Sequence, residues 1–586
     1  MTIEYSLQLE PQKHLLTVAL RVARPDPGGQ ILALPAWVPG SYTIRNLARH
    51  LVQIRAQHQG HELAIHKFAK DRWRVEPCAG PLEIHYQIYA LDLSVRTAYL
   101  DDLGGFINGP AVFLRVVGQE EELHTLEMAG PGHWQLATTL ERDSGAEWSW
   151  GIFHAPNYRD FCDHPLLMGH LQRVDFQAGG VPHQLALWGH PDADLLRLGR
   201  DLASICQVQQ KFWGSLPFSQ YLFLCMGSRN GYGGLEHRRS AALLCSRRDL
   251  DGSDDAAYRQ FLGLASHEYF HSWLVQGIRP AVWAQSYWDR EILSQDLWIY
   301  EGFTSYYDGL LLCRAGLWSE EVYLGELGRE ITRLRQSPGE HWQSLSESST
   351  DAWIKLYHPH PASANFEISY YNKGALLALC LDARIRQRHG HQQSLDDILR
   401  RLWQEYGLRQ PLPEGELLTL LAQWEGVELA EEINGWLHQA EPLPLAECLA
   451  ILGVSLQYRA GSDGKDRGGK PGSPRRCDLG ASLQAASLGV TVERVRLDGP
   501  AERAGICPGD HLLALDGEQI LADNLQAQLD RLAPGVPRDL HFLRDGRLLQ
   551  RRIFPEEAPL DCAFLTPLED PQSQHARELW LHPANH

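Results

Sequence analysis

Residues 258–275 read YRQFLGLASHEYFHSWLV, a stretch whose apolar positions follow a helical period. On a helix, positions i and i+4 share one face a turn apart, so His267 and His271 can hold a single cation between their imidazoles. Neutral imidazoles suit Zn²⁺. Glu268 lies about 100° further round the helix and can face the water such an ion activates without ligating the ion, which makes it the candidate general base. With 27 histidines in 586 residues, chance places on the order of 0.08 such pentads in a chain. The plain alternative is a pair of half-buried helix histidines.

A catalytic zinc takes three protein ligands and keeps one position open. Glu301 is the favoured third ligand. It lies in LWIYEGFTSYYDGLLL at 297–312, which reads as a second helix ending near Gly316, and 301 − 271 leaves 30 residues for a connection and an antiparallel return. Glu291 is the competitor at 291 − 271 = 20 residues, but it precedes the helix start at Ser294 or Gln295.

Outward from this centre the pattern changes. Before residue 150 the apolar residues alternate: Ile3, Tyr5, Leu7, Leu9, then Leu16, Val18, Leu20, Val22, and later Leu82, Ile84, Tyr86, Ile88. Period two with joints such as PDPGG predicts antiparallel strands with one wet face, hence a β-sandwich-like first domain. Helical period occupies 254–275, 295–315 and 373–388, and Ser394 to Asp397 resembles a capping box before Ile398, Leu399 and Leu402, with a further helix over 416–424. Residues 460–476, AGSDGKDRGGKPGSPRR, carry no apolar anchor beyond Ala460 and read as a mobile insertion. Short strands and tight turns follow. The expected fold is multidomain α+β: a β domain over 1–165, a catalytic domain over 166–330, a helical domain over 331–448, a small β domain over 449–558 containing the 460–476 insertion, and a tail over 559–586.

Composition limits the partners. The chain has 44% hydrophobic and 22% charged residues, an ordinary globular balance, and its net charge of −19 disfavours nucleic acid and anionic lipid. Eleven cysteines with no CxxC pair point to neither a disulfide framework nor a cysteine zinc site, so a reducing compartment is expected. MTIEYSLQLE has no basic start leading into an apolar run, and no segment reaches the roughly 20 apolar residues of a membrane span. The cytoplasm is the expected location.

Together HEYFHSW, WIYEGFTSYYDGLLL, GYGGLEHRRS and YYNKGALLALCLDARIR, in this chain's set of motifs, resemble the glycyl aminopeptidase family of zinc metallopeptidases, relatives of the aminopeptidase N group in which a PDZ-like tail is typical. The resemblance covers nearly the whole chain, and it implies that the domain over 166–330 is thermolysin-like with zinc and the domain over 449–558 PDZ-like. It implies one zinc per chain on His267, His271 and Glu301, with Glu268 as base. It also implies that Glu236, after Gly233 and Gly234, binds the free α-amine of the substrate, and that Tyr371 hydrogen-bonds the developing oxyanion. Tyr370 is the competing phenol. A fixed carboxylate for an ammonium would confine cleavage to single N-terminal residues, and a phenol donor would complement the metal as charge grows on the carbonyl oxygen. His237 stands where aminopeptidase N has Asn.

The expected substrates are peptides with a free N-terminus, glycine or another small residue leading. The last domain resembles a PDZ module, with Leu479, Gly480 and Ala481 as a carboxylate-binding loop for a C-terminal peptide. Two rival functions are a zinc endopeptidase, in which Glu236 is structural, and a PDZ-type adaptor with an inactive catalytic domain.

Overall fold

The computed structural model describes residues 2–190, 192–284 and 288–583. They form two units, one of residues 1–292 with 399–413, the other of residues 293–398 with 414–586.

In the first unit the alternation becomes the rungs of a sheet. Ile3, Tyr5, Leu7 and Leu9 stand opposite Val22, Leu20, Val18 and Leu16, which in turn face Leu82, Ile84, Tyr86 and Ile88. All but Leu9 are buried, each contributing roughly 1.5–3 kcal/mol as a side chain removed from water. The sheet has eight strands, and two four-stranded sheets contribute to the same core. One pairing departs from the antiparallel reading: Thr2–Glu10 runs parallel to Leu123–Ala129. Period two fixes which face is buried but leaves strand direction open.

The same unit holds a five-stranded sheet in the order Gln172–Ala178, Val181–Trp188, Tyr221–Ser228, Ser240–Ser246, Gly233–Glu236. The middle three strands are parallel, and helix Leu195–Trp213 makes the first crossover. Asp194 caps that helix by accepting the Arg197 N–H, and Gly214 ends it at φ 84°. Gly233–Glu236 is the antiparallel edge.

Helix Asp255–Phe270 starts on Asp254, whose carboxylate accepts the Ala256 and Ala257 N–H groups. It stops five residues short of the 254–275 run. Trp273 is the reason: its indole N–H donates to the Ser215 carbonyl at 2.8 Å and its ring stacks on Trp213 at 5.8 Å, so packing overrides periodicity.

The second unit is helical around Tyr370–Arg388, three residues longer at its start than the periodicity over 373–388. Its buried Asp382 accepts from Tyr306 Oη, Arg386 and the Leu395 N–H. Ser394 opens Leu395–Tyr406 by donating its N–H to Asp397 at 2.9 Å. Strand Val454–Ala460 pairs antiparallel with Leu560–Pro567, and the intervening chain builds a sheet of short strands with its own apolar core. Polar bonds tie the 460–476 segment: Arg459 grips Asp466, and the Gly469 N–H donates to the Ala563 carbonyl at 2.7 Å. Helix Pro571–Leu581 docks through buried Trp580, whose indole N–H donates to Tyr306 Oη. Among the described residues no helix is long and apolar enough to cross a membrane.

Candidate active site

In the first unit, His267 occupies the last turn of Asp255–Phe270 and His271 is its C-cap residue, the His271 N–H still donating to the His267 carbonyl. The imidazoles lie 4.7 Å apart between centroids and nearly perpendicular. His271 is buried. Its Nδ1 sits 3.1 Å from the Leu274 carbonyl, and an N–H donated there leaves Nε2 with the lone pair a metal requires. This donor chemistry suits zinc.

Glu268 points at the edge strand. A Cβ on Gly234 would collide with the Glu268 carboxylate, so the glycine is the cradle in which the carboxylate rests. Arg96 holds that strand by donating to the Gly234 carbonyl at 3.0 Å. Glu236 is two residues on, hence on the same face, and ligand-capable atoms of Glu236, Glu268 and His271 all lie within 4.8 Å of one another. Gly40, at φ 81°, completes this wall: a Cβ there would fall 2.6 Å from Glu236 Oε2. His237 Nδ1 meets Asp163 at 3.3 Å.

Glu236 lines an open pocket together with Gly40, Tyr42, Arg238, Val275, Arg279 and Trp283, among others. Val275 is β-branched yet sits at φ 105°, a conformation that costs on the order of 1–3 kcal/mol and persists only where its surroundings impose it. Burial, with Arg238 and Arg159 nearby, pushes Arg279 down to about 10.

In the second unit, Glu301 lies on a π-helical turn, Trp298–Phe303, that leads into Thr304–Arg314. Such turns recur at functional sites because the extra residue re-aims one side chain. Glu301 is buried, whereas Glu291 is exposed and outside any helix. The turn abuts the start of Tyr370–Arg388 through two glycines: a Cβ on Gly302 would lie 2.7 Å from Gly374 Cα. Burial, and after it the neighbouring Tyr357 and the Glu301 charge, hold the Tyr370 phenol well above the usual tyrosine range. Tyr371 is half-buried and stacks on Tyr370 at 4.7 Å. The hydroxyl of Tyr357 is 3.0 Å from that of Tyr371 and 3.1 Å from that of Tyr370.

The sequence reading omitted Gly40, Arg96 and Tyr357. Gly40 alone left a signal, a Pro-Gly turn at 39–40; the others matter only through partners distant in the chain.

Family models match three stretches: Peptidase M61 N-terminal domain over 4–170, M61 glycyl aminopeptidase over 260–377, and PDZ domain over 477–553. The chain is similar to a solved aminopeptidase N family protein from Idiomarina loihiensis, at 36% identity and a TM-score of 0.96, over 99% of this chain and 100% of that one. An M1 zinc metallopeptidase from Deinococcus radiodurans aligns at 15% identity over 76% of this chain and 95% of its own, with a TM-score of 0.48. Native yeast LTA4 hydrolase aligns at 13% over 76% and 68%, also at 0.48. No curated protein matches.

Proposed function

Since the chain belongs to the M61 glycyl aminopeptidase family and is a metallopeptidase, we propose that it removes single N-terminal residues from peptides, with one catalytic zinc held by His267, His271 and Glu301. Bound there, zinc would polarise the scissile carbonyl and acidify the attacking water.

The remaining work belongs to the chain's own groups. Glu268, fixed in the Gly234 cradle, takes the water proton and passes it to the leaving amine. Glu236 receives the substrate ammonium and sets a reading frame of one residue. Tyr371 donates its hydroxyl hydrogen to the developing oxyanion, steadied by Tyr357. Glycine or another small residue is the preferred first residue, as the family's name suggests. The PDZ domain binds a peptide chain end, and the cysteine pattern favours the cytoplasm.

The observation that carries this reading is the convergence of Glu236, Glu268 and His271 within 4.8 Å. It supports an amine site adjoining the base, which an endopeptidase has no need of. The test compares glycyl and alanyl anilides with their N-acetylated forms, before and after chelation. Hydrolysis of the free amines only, lost with the metal and restored by Zn²⁺, is expected. Equal cleavage of acetylated substrates would make the protein an endopeptidase, and zinc binding with no turnover would make it an adaptor.

A further inference from the structure

We propose a second metal site in the five-stranded sheet, built by His190, Cys225 and Cys245 and selective for a thiophilic divalent cation, Zn²⁺ foremost. It shares no residue with the proposed catalytic centre.

The strands bring these side chains together. Tyr221–Ser228 and Ser240–Ser246 are parallel neighbours in which Cys245 pairs with Gly227 and Cys225 with Leu243. The two cysteines are therefore diagonal neighbours on one face. Gly227 stands between them and His190, which follows Val181–Trp188. A Cβ on Gly227 would lie 2.9 Å from His190 Cδ2 and 2.5 Å from the Gly189 carbonyl oxygen, so the absent side chain is what admits the imidazole. Cys225 Sγ is then 3.8 Å from Cys245 Sγ, and Cys245 Sγ is 3.6 Å from His190 Nε2. All three donor atoms lie within 4.8 Å of one another, and all three residues are buried.

The two spacings that involve Cys245 match edges of a coordination tetrahedron. Zinc bonds of about 2.3 Å to sulfur and 2.0–2.1 Å to nitrogen, at tetrahedral angles, put two sulfurs about 3.8 Å apart and a sulfur and nitrogen about 3.6 Å apart. The other ring nitrogen, His190 Nδ1, faces the Arg247 carbonyl at 3.4 Å, an outer partner that leaves Nε2 as the metal-facing atom.

Charge selects the same class of ion. A divalent cation binding both sulfurs displaces two protons to solvent and, with a neutral imidazole, forms an unit of zero net charge, the ionised form that a buried sheet face accepts at least cost. Mg²⁺ and Ca²⁺ demand oxygen donors, whereas the three side chains here offer two sulfurs and a nitrogen.

Cobalt(II) is the probe, added to the full chain carrying His267→Ala and His271→Ala, which removes two proposed catalytic ligands and leaves the sheet intact. One equivalent should bind with a thiolate-to-cobalt charge-transfer band in the near ultraviolet and release two protons. Adding Cys225→Ser or Cys245→Ser should abolish the band and weaken binding roughly 100-fold or more. Absence of the band in the double-histidine variant overturns the site by itself, whatever the folding of the serine variants. Persistence of the band in folded Cys225→Ser or Cys245→Ser overturns it too. Loss of peptidase activity in the double-histidine variant bears only on the catalytic assignment.

Discussion

The carboxylate of Glu268 fills the space that a side chain on Gly234 would need. Gly234→Ala should therefore mimic loss of the general base without touching it. A fall in kcat of roughly 10²- to 10⁴-fold is expected, close to that of Glu268→Gln. Zinc content measured by atomic emission should stay at the wild-type value in both. Wild-type turnover by Gly234→Ala would remove Glu268 from its role.

Glu236 is tested through the substrate. Replacing it by Gln removes a charge-assisted hydrogen bond to the ammonium, about 1.5–3 kcal/mol, or roughly a 10- to 150-fold loss in kcat/KM. The loss should be confined to free N-termini, so discrimination against acetylated peptides should shrink by the same factor. Gly40→Ala should follow in the same direction, because its Cβ would fall 2.6 Å from the Glu236 carboxylate and its φ of 81° disfavours any side chain.

The three phenols should separate in kcat. Tyr371→Phe is expected to lower it by roughly 10²- to 10³-fold, the cost of one oxyanion donor. Tyr357→Phe should cost less, since it acts through Tyr371. A larger defect in Tyr370→Phe than in Tyr371→Phe would transfer the donor role to Tyr370.

Asp296 makes stability depend on pH. Burial raises its pKa to about 6, against partial relief from the Gly415 N–H donated to Oδ2 at 2.8 Å. A carboxyl whose folded pKa exceeds its unfolded value favours the fold only while protonated. Its contribution is full below about pH 4 and declines as pH rises through about 6, leaving a penalty on the order of 3 kcal/mol at neutrality. Asp296→Asn keeps the acceptor and should raise the melting temperature near pH 7.5 but not near pH 4. Equal shifts at both would disprove ionisation as the cause.

Much of this was legible from residues alone, and the reasons differ by element. The rungs from Ile3 to Ile88 were readable because one face is wet, and the His267–His271 pair because spacing on a helix needs no tertiary information. The central sheet was not: YLFLCMGS at 221–228 is buried at every position, so it has no period that separates strand from helix. The end of the helix at Phe270, the π turn under Glu301 and the Tyr357 hydroxyl depend on Trp273, Gly374 and Tyr371, partners whose positions no local pattern encodes.

Val454–Ala460 and Leu560–Pro567 lie side by side with Ala460 opposite Leu560, so the PDZ stretch departs from and returns to neighbouring strands, about 4.8 Å apart. Its two attachment points are thus almost a single point. A cassette joined in this way can be lengthened or exchanged without pulling on the strands that bear it, at the cost of the two bonds by which Asn365 holds the Val495 carbonyl and the Leu497 N–H, which makes that strand pair a natural splice point for grafting other recognition domains onto a peptidase scaffold.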